Sequence, residues 1–316
     1  MSTRLQIIAV GALATSVLAL AGDLGGPFGL LAAYFSTLPL FVVGFAAGTR
    51  ACMAAMAIAA VVIAAASGAL DAAMFVVAQG VPAALIVGLA LRTRIAPTGD
   101  PEWYPAGDVL ASVATYGALV FAAGTLAFAG QSGTSVEQTL AEMLERVFSA
   151  VAAESDPESV KAMAAALARY MPAFVLAGWT VMMVVNAVMG FQAARRFGSP
   201  QRPEPTWSAM TLPGWLMTAT AAAALAALVG RGTIAGFIGG NAALALCVPY
   251  ALLGFAVAHT FAAGAKYPWL VLWGVYLVVL LFGWPLFFMA AVGFAEDWIG
   301  LRRHIAGPRP EPEDER

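Results

Sequence analysis

The sequence predicts an all-α fold: a polytopic helical membrane protein of eight or nine transmembrane helices, with an extramembrane amphipathic helical hairpin. Three observations predict it. Of the 316 residues, 61% are hydrophobic and 11% charged, against roughly 45–50% and about 25% in soluble domains. Apolar runs of about 20 residues, the length that spans a bilayer as a helix, follow one another along most of the chain. These runs lack the ~10-residue alternating segments of membrane β-barrels. A single integral membrane domain is expected over residues 1–303, with residues 130–169 as an acidic amphipathic insertion. Residues 304–316, rich in proline and acids, are expected to be disordered.

The first run follows Arg4 and ends at Gly22. Its Ala19-Leu20-Ala21 has the form of a signal cleavage site, but further spans follow at once, which favours a retained first helix. Phe28 to Gly48 is the second span. There Pro39 frees a backbone carbonyl, and Gly44-x-x-x-Gly48 permits close helix packing. Ala51 to Gly68 is the third. Ala72 to Leu91, with Gln79, Gly80 and Pro82 near its middle, is the fourth, and Arg92 and Arg94 close it. Residues 96–107 read as a loop, with Trp103 and Tyr104 suited to the headgroup layer. Asp108 to Ala129 is the fifth span.

The insertion carries the clearest helical pattern. Val136, Leu140, Met143, Leu144, Val147, Phe148 and Val151 recur on one face, while Glu137, Glu142, Glu145 and Arg146 fall elsewhere. Ser135-x-x-Gln138 reads as a capping box, and Ser155-Asp156-Pro157-Glu158 as the start of a second helix. The hairpin holds Glu137, Glu142, Glu145, Glu154, Asp156 and Glu158 against Arg146, Lys161 and Arg169. Such acidity gains nothing from anionic lipid, so the hairpin is expected to cover the outer mouth of the bundle or to pair with another copy.

Pro172 to Phe191 is the sixth span, with Asn186 near its end and Arg195, Arg196 and Arg202 after it. Thr211 to Gly230 is the seventh. Gly232 to Gly240 is too short to cross and is expected to dip in and return, after which Asn241 to Ala263, bent at Pro249, crosses fully. Pro268 to Phe294, kinked at Pro285, is the last span.

Charge sets the expected orientation. Arg4, Arg50, Arg92, Arg94, Arg195, Arg196 and Arg202 fall on one side, and Asp23, Asp71 and the acidic hairpin on the other, which places the N-terminus in the cytoplasm of an inner membrane. Nine crossings would leave Arg302, Arg303 and Arg309 outside; eight effective crossings would not.

The polar residues bound the function. No apolar run carries a central Asp/Glu pair, Arg series or His cluster, which argues against proton pumps, voltage sensors and intramembrane metalloproteases. No His-Glu-x-x-His, Gly-x-Ser-x-Gly or phosphate-loop motif is present. No catalytic residue, metal site, cofactor or nucleic-acid partner is expected, and Cys52 and Cys247 read as buried thiols. What remains at depth is Gln79, Asn186, Asn241 and His259. They suit a small uncharged or zwitterionic ligand, or else interhelical hydrogen bonds worth about 0.6–2 kcal/mol. A last cluster, Glu296, Asp297, Trp298, Arg302 and Arg303, marks a helix end. Its acids and bases lie five to seven positions apart, too far for i, i+4 pairs, and are expected to reach other helices or loops.

The span from Asn241 to His259 with Tyr250 and Gly254, and the ending Gly293-Phe294-Ala295-Glu296-Asp297-Trp298 followed by Leu301-Arg302-Arg303, resemble the YybS-like family of bacterial membrane proteins of unknown function. Pro39 and Pro82 fall within the resemblance, which covers nearly the whole chain. That family is itself distantly similar to the S components of energy-coupling-factor transporters. The resemblance implies a small-solute-binding membrane component without its own ATPase, dependent on partner proteins. An S component has about six helices, and this chain adds others together with the acidic hairpin. The alternative is a membrane scaffold that recruits partners through residues 130–169 and the arginine-rich loops.

Overall fold

The computed structural model describes residues 3–96, 99–151, 156–197 and 200–302. Arg303, Glu154 and the tail 304–316 lie outside these residues. The described chain is almost wholly helical, as its composition predicts. Seven segments are long and apolar enough to cross a membrane: Arg4–Gly22, Gly26–Ala47, Thr49–Ser67, Ala69–Ala90, Ala106–Ser132, Pro157–Arg196 and Ile234–Ala263. Two shorter apolar helices, Gly214–Val229 and Pro268–Phe282, accompany them.

Proline and glycine divide several of these segments. Helix α1 is Thr3–Gly22. The second span is split into α2 (Gly26–Phe35) and α3 (Leu38–Ala47), because Pro39 enters the first turn of a new helix after Ser36 and Thr37. Gly48, at φ 93°, turns the chain into α4 (Thr49–Ser67). The fourth span is α5 (Ala69–Phe75), a π-helical turn Val76–Gly80, and α6 (Val81–Ala90).

The stretch read as a loop holds a two-stranded antiparallel hairpin, β1 (Thr93–Ile95) and β2 (Pro101–Trp103), with Arg94 opposite Glu102. Arg94 Nε donates to Glu102 Oε2 at 2.6 Å, which holds that carboxyl below its ordinary value. Both side chains are exposed, so the pair adds little stability.

Helix α7 (Ala106–Ser132) leads to the acidic hairpin, formed by α8 (Val136–Val151) and the outer part of α9 (Pro157–Phe197). Its start signals hold. Gln138 N donates to Ser135 Oγ at 3.1 Å while Ser135 N donates to Gln138 Oε1 at 3.2 Å, and Ser159 N donates to Asp156 Oδ2 at 3.0 Å.

Two expectations for the last third are corrected. Gly232 to Gly240 does not dip and return. Helix α11 (Ile234–Leu246) runs on through Cys247 into α12 (Val248–Ala263). Its glycines serve close packing against α10 (Gly214–Val229), for a Cβ on Gly239 would lie 2.7 Å from Ala223 O and 2.9 Å from Ala226 Cβ. The final run is likewise not one kinked helix. Gly283, at φ 68°, separates α13 (Pro268–Phe282) from α14 (Pro285–Ile299).

One core lies among α1, α3, α4, α6 and α9, around Leu40, Phe41, Cys52, Val87 and Met183. A second lies among α7, α10, α12 and α14, around Ala111, Leu216, Tyr250 and Leu253. In the second, α12 and α14 run antiparallel with their backbones touching. A Cβ on Gly254 would fall on the Met289 carbonyl, and one on Gly293 on the Tyr250 carbonyl. The Tyr250 and Phe294 rings stack at 3.7 Å. Gly293→Val is expected to pry these helices apart and destabilise the protein by about 1–3 kcal/mol or more, read as a lower unfolding temperature in detergent. Gly274→Val, which meets open space on α13, should leave that temperature unchanged.

Several segments distant in sequence are tied together at one end of the bundle. Arg4 donates to Ala47 O and Gln201 N to Phe45 O. Arg202 donates to Ala90 O, and Thr211 O packs on Gly107. Arg302 Nη2 donates to Met210 O at 2.7 Å. Arg4, Arg202 and Arg302 therefore share this basic end.

Candidate functional site

The polar residues singled out from the sequence go to three places. Two of them serve the break between α2 and α3. Asn186, fully buried on α9, donates through Nδ2 to Tyr34 O and Met182 O at 2.9 Å each. Gln79 Oε1 accepts from Ser36 Oγ at 2.6 Å. Tyr34 O stands at the end of α2, where the helix stops short of Pro39, so a donor from another helix meets an acceptor that has lost its helical partner.

Asn241 stands elsewhere, at a proline inside α9. Pro172 disrupts the helix there. The Asn241 amide is inserted between Ala173 N and Arg169 O, the two groups that would bond each other in a regular turn. Oδ1 accepts from Ala173 N at 2.8 Å, and Nδ2 donates to Arg169 O at 3.0 Å and to Phe237 O at 2.9 Å. The side chain replaces the missing rung.

Sequence reasoning passed over two residues of the same kind. Ala78 O loses its donor because Pro82 has no N–H, and Trp179 Nε1 supplies one at 2.8 Å. In the π turn Val81 N reaches back to Val76 O, and Tyr116 OH donates to Val77 O at 2.7 Å. The two rings stack at 6.3 Å. A tryptophan or tyrosine in an apolar run carries no local mark of such a duty.

His259 alone of the four faces a cavity. Its Nε2 lies 2.8 Å from Tyr276 OH. Both line a space of about 550 Å³ between α7, α9 and α12 near the basic end, within the range of small-ligand sites. Phe45, Ile86, Val109, Leu110, Val113, Val184 and Leu252 make its apolar wall, and the segment 202–210 closes one side with Arg202, Glu204, Trp207 and Met210.

Arg202 was counted in the sequence only as one of several basic loop residues. In the structure it is 9% exposed. Nη1 donates to Ala90 O at 2.9 Å and Nε to Pro203 O at 3.4 Å, and the guanidinium stands 5.7 Å from the Trp103 ring centroid. Burial lowers its pKa from the ordinary value. Glu204, on the same wall, is bonded to Arg195 and to Gln192 Nε2 at 2.7 Å. Arg202 lies 112 positions from Ala90, so nothing nearby in the sequence marks it as the buried one.

The helix-end cluster folds on itself, a pairing not foreseen by the expectation that its acids and bases reach other helices or loops. Gly300 takes the left-handed conformation at φ 62°, and the chain turns back. Arg302 Nε then meets Glu296 Oε1 at 2.7 Å and its backbone N meets Oε2 at 2.8 Å. Both side chains are largely buried, at 13% and 7% exposure. The Arg302 guanidinium also reaches Met210 O on another segment, as expected. Trp298 is exposed, with Nε1 3.0 Å from Met217 Sδ.

A second space of about 410 Å³ lies beneath α8, lined by Thr125, Glu137, Gln138, Ala165, Thr233 and Phe237. The hairpin thus covers the N-terminus of α11, at the end of the bundle away from Arg202.

No curated protein matches the chain and no solved structure matches it. A family profile covers residues 13–295, both cores and the large cavity included, and the chain belongs to that family, described as predicted membrane protein (DUF2232).

Proposed function

We propose that the protein binds a small solute within a bacterial inner membrane, in the cavity between α7, α9 and α12, and acts as a transporter-like component driven by partner proteins. The cavity itself carries this reading: a space of about 550 Å³ lined mostly by apolar side chains with a few polar ones, of the form ligand sites take. The gathering of Arg4, Arg202 and Arg302 at its end of the bundle supports a cytoplasmic mouth.

The test is thermal stabilisation of purified protein across a metabolite and lipid panel. A ligand at about 100 times its Kd stabilises by about 2.7 kcal/mol. Val188 on α9 also lines the cavity, and Val188→Trp, which fills it, should abolish the shift without lowering the starting temperature. A silent panel would overturn the reading.

One observation favours the scaffold alternative. Met143, Val147 and Val151 of α8 are 60%, 50% and 84% exposed, an uncovered apolar strip on an acidic helix. A protein that co-purifies with the full chain and is lost on Val147→Glu, together with a silent panel, would establish that alternative.

A further inference from the structure

We infer that the ligand of this cavity is a single-chain amphiphile with an anionic headgroup, with Arg202 as the group that binds its charge. The inference rests on the cavity reading above and names the ligand class.

A buried guanidinium is costly unless it is paired. Among the described residues no carboxylate lies within ion-pair distance of Arg202. Glu204, two positions along, is held by Arg195 and Gln192. A guanidinium has five N–H donors in a planar fork, and among the described residues the hydrogen bonds of Arg202 use Nε and Nη1. The remaining donors sit on a residue that lines the cavity. That matches the two-pronged geometry by which arginine holds carboxylate or phosphate.

The rest of the cavity selects the body of the ligand. A free inorganic anion has no use for walls of Phe45, Val109, Leu110 and Val184, whereas an alkyl chain gains from them about 25 cal/mol per Å² buried. The Trp103 ring centroid lies 5.7 Å from the guanidinium carbon, within cation–π range. The His259–Tyr276 pair supplies a second polar point on the wall.

A purely structural role for Arg202 is the competing account, since Ala90 O at the end of α6 needs a donor. Arg202→Gln separates the two, because the amide keeps a donor near Ala90 O and removes the charge. The probe is labelled palmitate bound to the full-length protein in neutral detergent, competed by unlabelled palmitate or by hexadecanol, each scored per molecule in the micelle. Palmitate should compete at least about tenfold better than hexadecanol, the scale of one charge-assisted bond. Arg202→Gln should bring palmitate down to the level of hexadecanol, and Arg202→Lys should retain part of the difference.

Equal competition by the two probes in the unmodified protein would overturn the inference even if Arg202→Gln failed to fold. So would unchanged palmitate binding in a folded Arg202→Gln protein. If a neutral polar solute stabilises the protein and palmitate does not bind, the ligand class is wrong while the cavity reading stands. If nothing binds, both fall.

Discussion

Asn241→Leu is expected to destabilise the protein by about 2–4 kcal/mol, measured by thermal or denaturant unfolding in detergent. The side chain is 1% exposed and makes three hydrogen bonds, all to backbone groups. Leucine fills the same space and leaves Ala173 N, Arg169 O and Phe237 O without that partner. Interhelical hydrogen bonds in membrane proteins average only about 0.6 kcal/mol, but orphaned buried groups lose about 1–3 kcal/mol each. The second effect dominates here, because Ala173 N and Arg169 O flank Pro172 and regain no helical partner while it is present. Pro172→Ala should restore much of the loss in the Asn241→Leu background, since a regular α9 pairs Ala173 N with Arg169 O by itself. A loss below about 0.6 kcal/mol, or additive single and double substitutions, would refute this account of the break.

Glu296→Ala should cost more, about 3–5 kcal/mol, the usual penalty for removing one member of a buried ion pair. Arg302 would keep its bond to Met210 O and lose both carboxylate bonds. Glu296→Ala with Arg302→Met should recover most of the loss, because apolar replacement of both partners removes the uncompensated charge. The same unfolding measurement reads all three proteins. If the double substitution is no more stable than Glu296→Ala alone, the charge of Arg302 is not what the carboxylate neutralises.

Features with local causes were legible in the sequence. The Ser135–Gln138 box and the Asp156 cap are short-range geometry, and both form as read. Pro39 likewise foretold a break, whereas Pro82 and Pro172 were read only as lying within and at the start of a span. What covers each break was not legible, because Asn186, Trp179 and Asn241 act across distances of 152, 101 and 68 positions. Gly236, Gly239 and Gly240 misled for a related reason. Glycine serves equally for a turn and for close approach of two helices, and only the neighbouring α10 decides between them. The cavity was out of reach too. Its charged wall is an arginine indistinguishable in sequence from Arg195 and Arg196, and its burial depends on the end of α6.

The long-range capping of broken helices bears on how the chain is made. Synthesis runs from the N-terminus, so α2 and α3 exist well before α9. Tyr34 O then has no Asn186 until 152 further residues have been added, and Ala78 O waits 101 residues for Trp179. The break in α9 waits in turn for Asn241. Unpaired carbonyls are not tolerated in bare hydrocarbon, so the early spans must be held against water or against other protein while they wait. The finished bundle closes from its last helices backward, and a chain stopped before Asn241 would leave α9 itself incomplete.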